Sequence, residues 1–458
     1  MRAIMRTAAV LGLLTLLVSP PLQSGVLRAG VARVDITPLL GLPMYGYFGR
    51  TRPAIGTMDP LWARVLVLEA GEKRVALVTL DLGRTFGPAW MARLREAARR
   101  SSGISSVLVT ASHTHAGPNI LDEYPADQLP AWEVAALGKI AKAIEEAARG
   151  TVEARLGTGY GKAYVGYNRR RVDPDGTVTM LWQNPDKIAN APVDPTVSVL
   201  RVDTTSGKPL AVLVNYACHP VVFGPDNLQY SADFVGVMVR AVEQSFGSAP
   251  PLCFFFQGAA GDINPYFATT PLGQDAVKKR DWTGEQLGQE AARVAKEIWT
   301  ETAPNASLDY AEDLLPIRVR WNPERFRRGL LEGYGPRVFE DHAGLFRIEP
   351  ARQELRLAMT ALLINKRIAL MGMPGEPFVD FQINWRDRCP VRDALFLGYT
   401  NGYYDYFPTI RAAAEGGYGA ADSNTYIELG AGERMVDHAL GRIYEMLGRL
   451  SDMPEDLR

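Results

Sequence analysis

The stretch Ser106-Val107-Leu108-Val109-Thr110-Ala111-Ser112-His113-Thr114-His115-Ala116-Gly117-Pro118-Asn119 runs from an apolar, β-branched segment straight into two histidines and a Gly-Pro turn. A short apolar run bounded by Gly and Pro reads as a buried strand. Sheet-based enzymes carry their chemistry where such strands stop and on the loops beyond. The chain has only five histidines in 458 residues, so two of them within three positions single out this strand end.

The same arrangement recurs along the chain. Residues 75–80 end at Asp81, and residues 211–216 run to Cys218-His219-Pro220. Residues 252–256 lead into QGAAGDINP, residues 367–371 into GMPGEP, and residues 394–397 into GYTNGYYDYFPT. Together with 106–110 these segments predict one rim of a sheet and one site. Between them, apolar residues at helical spacing predict helices over 88–100, 129–149, 234–246, 283–302 and 433–450. Strands alternating with helices define an α/β (α+β) class, a large sheet-based catalytic domain with helices packed around it.

Composition narrows the function. Fifty Lys and Arg against 51 Asp and Glu leave a formal net charge of -1, which offers no electrostatic reason to bind nucleic acid or an anionic membrane. Residues 1–24 carry Arg2 and Arg6, an apolar run and then Pro20-Pro21, the pattern of a secretory signal peptide. Its apolar run is shorter than the ~20 residues a bilayer-spanning helix needs. The expected organisation is a signal over 1–24 and one catalytic domain over 25–458, exported to the periplasm or secreted, with no transmembrane segment once the signal is removed. Three cysteines, Cys218, Cys253 and Cys389, are too few and odd in number for a disulfide framework.

His113 and His115, two apart, point the same way if the strand continues through them. A third histidine, His219, ends another strand, and three imidazoles at strand ends suit a metal, zinc above all. Glu376 and Asp81 are the candidate oxygen ligands. Cys218, next to His219, points to the opposite face of its strand and reads as structural. His342 and His438 lie apart from these segments and take no role.

Five segments, SHTHAGP, ACHP, GAAGDINP, PGEPF and NGYYDYFPT…GGY, follow one another in the order of the signature segments of the neutral ceramidases. That family consists of zinc-dependent amidases that split ceramide into sphingosine and a fatty acid. The chain resembles it from about Ala29 to the C-terminus. The resemblance implies Zn²⁺ ligation by His113, His219, Glu376 and Tyr406. It implies catalytic roles for His115 beside the metal, for Arg169 in YNRRRV and for Tyr418, which together would stabilise the oxyanion or protonate the leaving amine. Asn264 stands where the family has a serine, and an amide side chain is no nucleophile but can hydrogen-bond substrate. Hydrolysis would therefore rest on metal-activated water.

The family also carries a C-terminal immunoglobulin-like domain, and no run of alternating strands follows the last predicted helix. The expected substrate is a small N-acyl compound, ceramide-like or other. Two further readings stay open: an exported binding protein that keeps the fold without turnover, and a hydrolase of another metal-dependent class. The sequence leaves the oligomeric state open.

Overall fold

In the computed structural model the residues described are 25–122, 124, 129–326, 328–329, 331–332, 354–451, 453–454 and 456. The expected signal over 1–24 and His342 lie outside them. Two sheets face one another, with helices on both outer surfaces. The first has eight strands: β1 (Leu27–Asp35), β2 (Trp62–Ala70), β3 (Lys73–Leu80), β4 (Ser106–Ala111), β5 (Val152–Lys162), β6 (Thr196–Thr204), β7 (Pro209–Tyr216) and β8 (Leu252–Gln257). Their spatial order is β8-β7-β6-β5-β1-β2-β3-β4. The second sheet runs β9 (Leu308–Arg318), β10 (Glu354–Ile364), β11 (Ile368–Gly372) and β12 (Asp393–Leu397) in that order.

The pleat sorts the layers. In β3, Val75 and Leu77 enter the core between the sheets, whereas Ala76, Val78 and Leu80 enter the core under helices α1 (Pro88–Ser102) and α2 (Ala131–Arg149). In β8, Phe254 and Phe256 face the second sheet, while Cys253 and Phe255 pack under α3 (Phe234–Ser245) and α4 (Ala276–Glu297). Ile368, Leu370, Leu395 and Leu397 answer from the second sheet. Its other face, with Met371 and Phe396, lies under α5 (Val379–Arg388) and α6 (Ala431–Met446). Strands apolar on both faces are those buried on both sides.

The single expected sheet is thus two, but the six strand ends still meet. The pairs β3–β4, β7–β8 and β11–β12 are the parallel ones, so each pair delivers two C-terminal ends side by side. The sheets are joined there: Thr110 bridges Thr400, the Gly398 N–H donates to the Gln257 carbonyl (3.0 Å), and the Asn215 amide donates to the Phe396 carbonyl (2.8 Å). The helix expected over 283–302 starts earlier and stops at Glu297. Its last predicted turn is replaced by a bridge between Glu301 and Leu156 on β5. Among the described residues no helix is long and apolar enough to cross a membrane.

Candidate metal centre

Strand β4 ends at Ala111, and His113 adopts a left-handed φ of 69°, so the two histidines converge through a turn and not by strand alternation. The turn is held from the neighbouring strand: the Ser112 and His113 N–H groups donate to the Leu80 and Leu82 carbonyls, both at 2.9 Å. His219 follows β7, its N–H donating to the Ile263 carbonyl (3.0 Å). Gln257, buried at the end of β8, links the two histidine loops. Its amide NH₂ donates to the Ser112 (2.9 Å) and Cys218 (2.8 Å) carbonyls, and its oxygen accepts from the Cys218 N–H (3.3 Å).

Glu376 comes from the second sheet. It pairs in parallel register with Tyr406 in a two-residue ladder just beyond β11 and β12, which sets both side chains on one face. Its Oε2 lies 3.0 Å from His219 Nε2 and 3.4 Å from His113 Nε2, and His115 Nε2 lies 3.2 Å from His113 Nε2.

Main-chain carbonyls orient two of these rings. His113 Nδ1 faces the Gly83 carbonyl at 2.7 Å and His219 Nδ1 faces the Ile263 carbonyl at 3.1 Å, so each ring donates through Nδ1 and turns an Nε2 lone pair inward. Burial pushes the His219 pKa down to about 4. Burial alone would raise that of Glu376, but the facing imidazoles of His113 and His219 hold it well below the usual carboxylate range. The Nε2 atoms of His113 and His219 and a carboxylate oxygen of Glu376 thus converge on one point. Ligands at 2.0–2.1 Å around a tetrahedral Zn²⁺ stand roughly 3.3 Å apart, matching the 3.0 and 3.4 Å from Glu376 to His219 and His113. The residues fit a metal ion.

His115 differs from the other two. Its Nδ1 has no hydrogen-bond partner among the described residues, and its ring sits between Tyr45 and Tyr47 against Gly46. Burial, then the neighbouring His113 and His219, hold its pKa well below the ordinary range, leaving a free base. It lines a cavity of about 580 Å³ together with Glu376, Tyr403, Tyr406 and Tyr418.

Arg169 lies beneath this wall. Its guanidinium donates to the Gly261 carbonyl (2.7 Å) and the Tyr406 hydroxyl (3.0 Å), and stands 5.1 Å from the Tyr418 ring centroid. Asn264 is buried behind it and accepts from Arg169 at 3.3 Å, so it braces the arginine and is absent from the cavity lining. The structure therefore brings His113, His115, His219, Glu376, Tyr406, Tyr418 and Arg169 into one cluster.

Asp81 is elsewhere. Its carboxylate takes the buried Arg64 guanidinium (2.9 Å) and the Trp62 N–H (3.0 Å), which removes it as a ligand. Cys218 and Cys253 are core side chains, and His438 pairs with Asp313. Three site tyrosines had no signal in the sequence. Tyr399 stacks on His113 with centroids 4.2 Å apart. The Tyr403 hydroxyl donates to Glu376 Oε1 (2.5 Å) and meets the Tyr45 hydroxyl at 2.7 Å. The loop that carries Tyr399 and Tyr403 is left-handed at Tyr399, Asn401 and Asp405, a conformation common for Asn and Asp but unusual for tyrosine.

Known proteins resemble the chain in sequence and in fold. Residues 27–277 match the family described as neutral/alkaline non-lysosomal ceramidase, N-terminal. The neutral ceramidase of Pseudomonas aeruginosa is 25% identical over 248 residues, which cover 49% of this chain and 36% of the relative. The chain thus aligns with little more than a third of that protein. A crystal structure of neutral ceramidase from Pseudomonas aeruginosa superposes with a TM-score of 0.70 at 19% identity, over 94% of this chain and 76% of that one. A structure described as ceramidase complexed with C2 superposes with a TM-score of 0.72 at the same identity.

Proposed function

Because the chain belongs to the neutral/alkaline non-lysosomal ceramidase family, we propose that it hydrolyses a linear amide, the N-acyl bond of a ceramide-like or other N-acylated small molecule. In this reading zinc is held by His113, His219, Glu376 and Tyr406. The observation that carries it is the convergence of two Nε2 atoms and a carboxylate oxygen within 3.0–3.4 Å, with the Nδ1 of each ring facing a main-chain carbonyl. Bound zinc supplies Lewis acidity toward the amide carbonyl and hydroxide near neutral pH.

The chain's own residues do the remainder. His115, a neutral imidazole facing the cavity, accepts the proton of the attacking water and returns it to the leaving nitrogen. Tyr418, kept protonated by burial and packed against Arg169, offers a hydroxyl donor to the carbonyl oxygen as negative charge gathers on it. Tyr403 clamps one oxygen of Glu376 and leaves the other turned toward the histidines. Asn264 holds Arg169 in place, consistent with a mechanism that needs no serine nucleophile. The arginines and apolar run of residues 1–24 support export.

Metal analysis of the purified protein, with turnover measured on N-acyl sphingoids, N-acyl amino acids and N-acyl sugars, tests the reading. Zinc is expected in the wild type and lost from His113→Ala and His219→Ala. His115→Ala should keep the metal and lose turnover. A wild type without zinc, or with zinc and no hydrolysis of any N-acyl compound, would overturn it.

A further inference from the structure

The charges lining the cavity do not pair off one to one. Three guanidinium groups contribute to its wall, those of Arg50, Arg52 and Arg84. Arg84 is answered: it pairs with Asp122 and lies 4.7 Å over the Tyr403 ring. Arg50 is not. It is only 9% exposed, yet its partners are neutral carbonyl oxygens of Tyr45, Asn227 and His115, and it stacks on Tyr47 with its Cζ 5.0 Å from the ring centroid. Its Nε has no partner and no carboxylate pairs with it among the described residues. Burial lowers its pKa only to about 10, so the charge is present at neutral pH.

Arg52, two positions on, is exposed at the mouth of the same cavity and makes no ion pair or hydrogen bond among the described residues. The other carboxylates of the lining are spoken for: Asp122 by Arg84, Glu376 by the histidines, and Asp405 by a partner of its own. A buried cation without a counter-charge is costly, and buried charges are as a rule paired.

Resting on the amide-hydrolase reading above, the geometry points to an N-acyl substrate that brings the missing anion, a carboxylate seated between Arg50 and Arg52. The Arg50 guanidinium donates to the His115 carbonyl at 2.5 Å, and His115 is the group assigned to the leaving nitrogen. An anion held there lies on the amine side of the scissile bond. The substrate class is therefore an N-acyl amino acid, with its carboxylate close to the amide nitrogen, in preference to a neutral amide alcohol.

The experiment separates recognition from turnover. Purified protein is titrated calorimetrically with N-(decylsulfonyl)glycine and N-(decylsulfonyl)ethanolamine, two sulfonamides that differ in charge and are not cleaved as amides. The glycine compound should bind roughly tenfold more tightly, as expected of a charge-assisted pair. Arg52→Gln should bring the ratio close to one, and Arg52→Glu should reverse it. Equal or weaker binding of the glycine compound, or a ratio unmoved by both variants, would overturn the assignment. Turnover of N-decanoylglycine and N-decanoylethanolamine is read in parallel. If neither these nor any N-acyl sphingoid or N-acyl sugar is cleaved the amide-hydrolase reading falls, while the binding ratio still decides whether the arginines select an anion.

Discussion

Gln257→Met offers a test of how the centre is held. Methionine matches the length and unbranched shape of glutamine, so the change removes hydrogen bonds and leaves little cavity. Three backbone groups lose their partner: the Ser112 carbonyl, the Cys218 carbonyl and the Cys218 N–H. Gln257 is fully buried, so water is not at hand to replace it. Each unmet buried group costs about 1–3 kcal/mol. Allowing for the relief of no longer burying an amide, the net loss should be about 3–5 kcal/mol, a large share of the ~5–15 kcal/mol that holds a domain together. Ser112 precedes His113 and Cys218 precedes His219, so metal affinity should fall as well, by roughly 10–100-fold, as when an outer-shell partner of a ligand is removed. Urea denaturation and competitive metal titration read the two effects. A loss below about 1 kcal/mol together with unchanged metal affinity would show that other contacts hold the histidine loops.

Gly46→Ala would place a Cβ 2.3 Å from His115 Cγ at a residue with φ of +105°, so the ring must shift. Bound metal should be retained while kcat falls roughly 100-fold, the cost of misplacing a reacting group by about an ångström. Leu370→Ala empties a site in the core between the sheets, where Leu370 is wholly buried, and should cost about 2–5 kcal/mol in chemical denaturation. Burial raises the Glu133 carboxyl from its ordinary 4.5 to about 7. The folded state thus holds this proton more tightly than the unfolded chain, and the associated stability is complete below pH ~4.5 and lost as pH rises through ~7. Denaturation midpoints followed from pH 4.5 to 7.5 should show this decline in the wild type and a flatter profile in Glu133→Gln.

The strand ends were legible because each apolar run stops at Gly, Pro or a ligand-capable side chain, and that pattern survives whichever sheet the strand joins. The number of sheets was not legible. A strand such as Leu252–Gln257 is apolar on both faces, and the pleat alone does not say that Phe254 meets a second sheet while Phe255 meets a helix. His113, His219 and Glu376 stood out by their rarity or by the Gly/Pro turn around them. Tyr45, Tyr399 and Tyr403 did not, since a tyrosine beside a metal-ligand group reads like any half-buried aromatic. Asp81 had the right position along its strand, but its neighbour Arg64 claims it, and such a pairing across β2 and β3 is a matter of register. Arg50 was equally hidden, because its partners are main-chain carbonyls of three separate loops.

The cluster draws its imidazoles from the eight-stranded sheet and its carboxylate from the ladder beyond the four-stranded one. It closes a seam between parts of the chain more than 150 positions apart, His219 and Glu376 being separated by 157. During synthesis both histidine loops emerge long before Glu376, so an early cation would meet nitrogen donors alone and be held weakly. Full-strength capture would come only when the last third of the chain has docked. Metal occupancy would then act as a checkpoint on completed folding, and chelation of the finished protein would loosen the joint between its two halves.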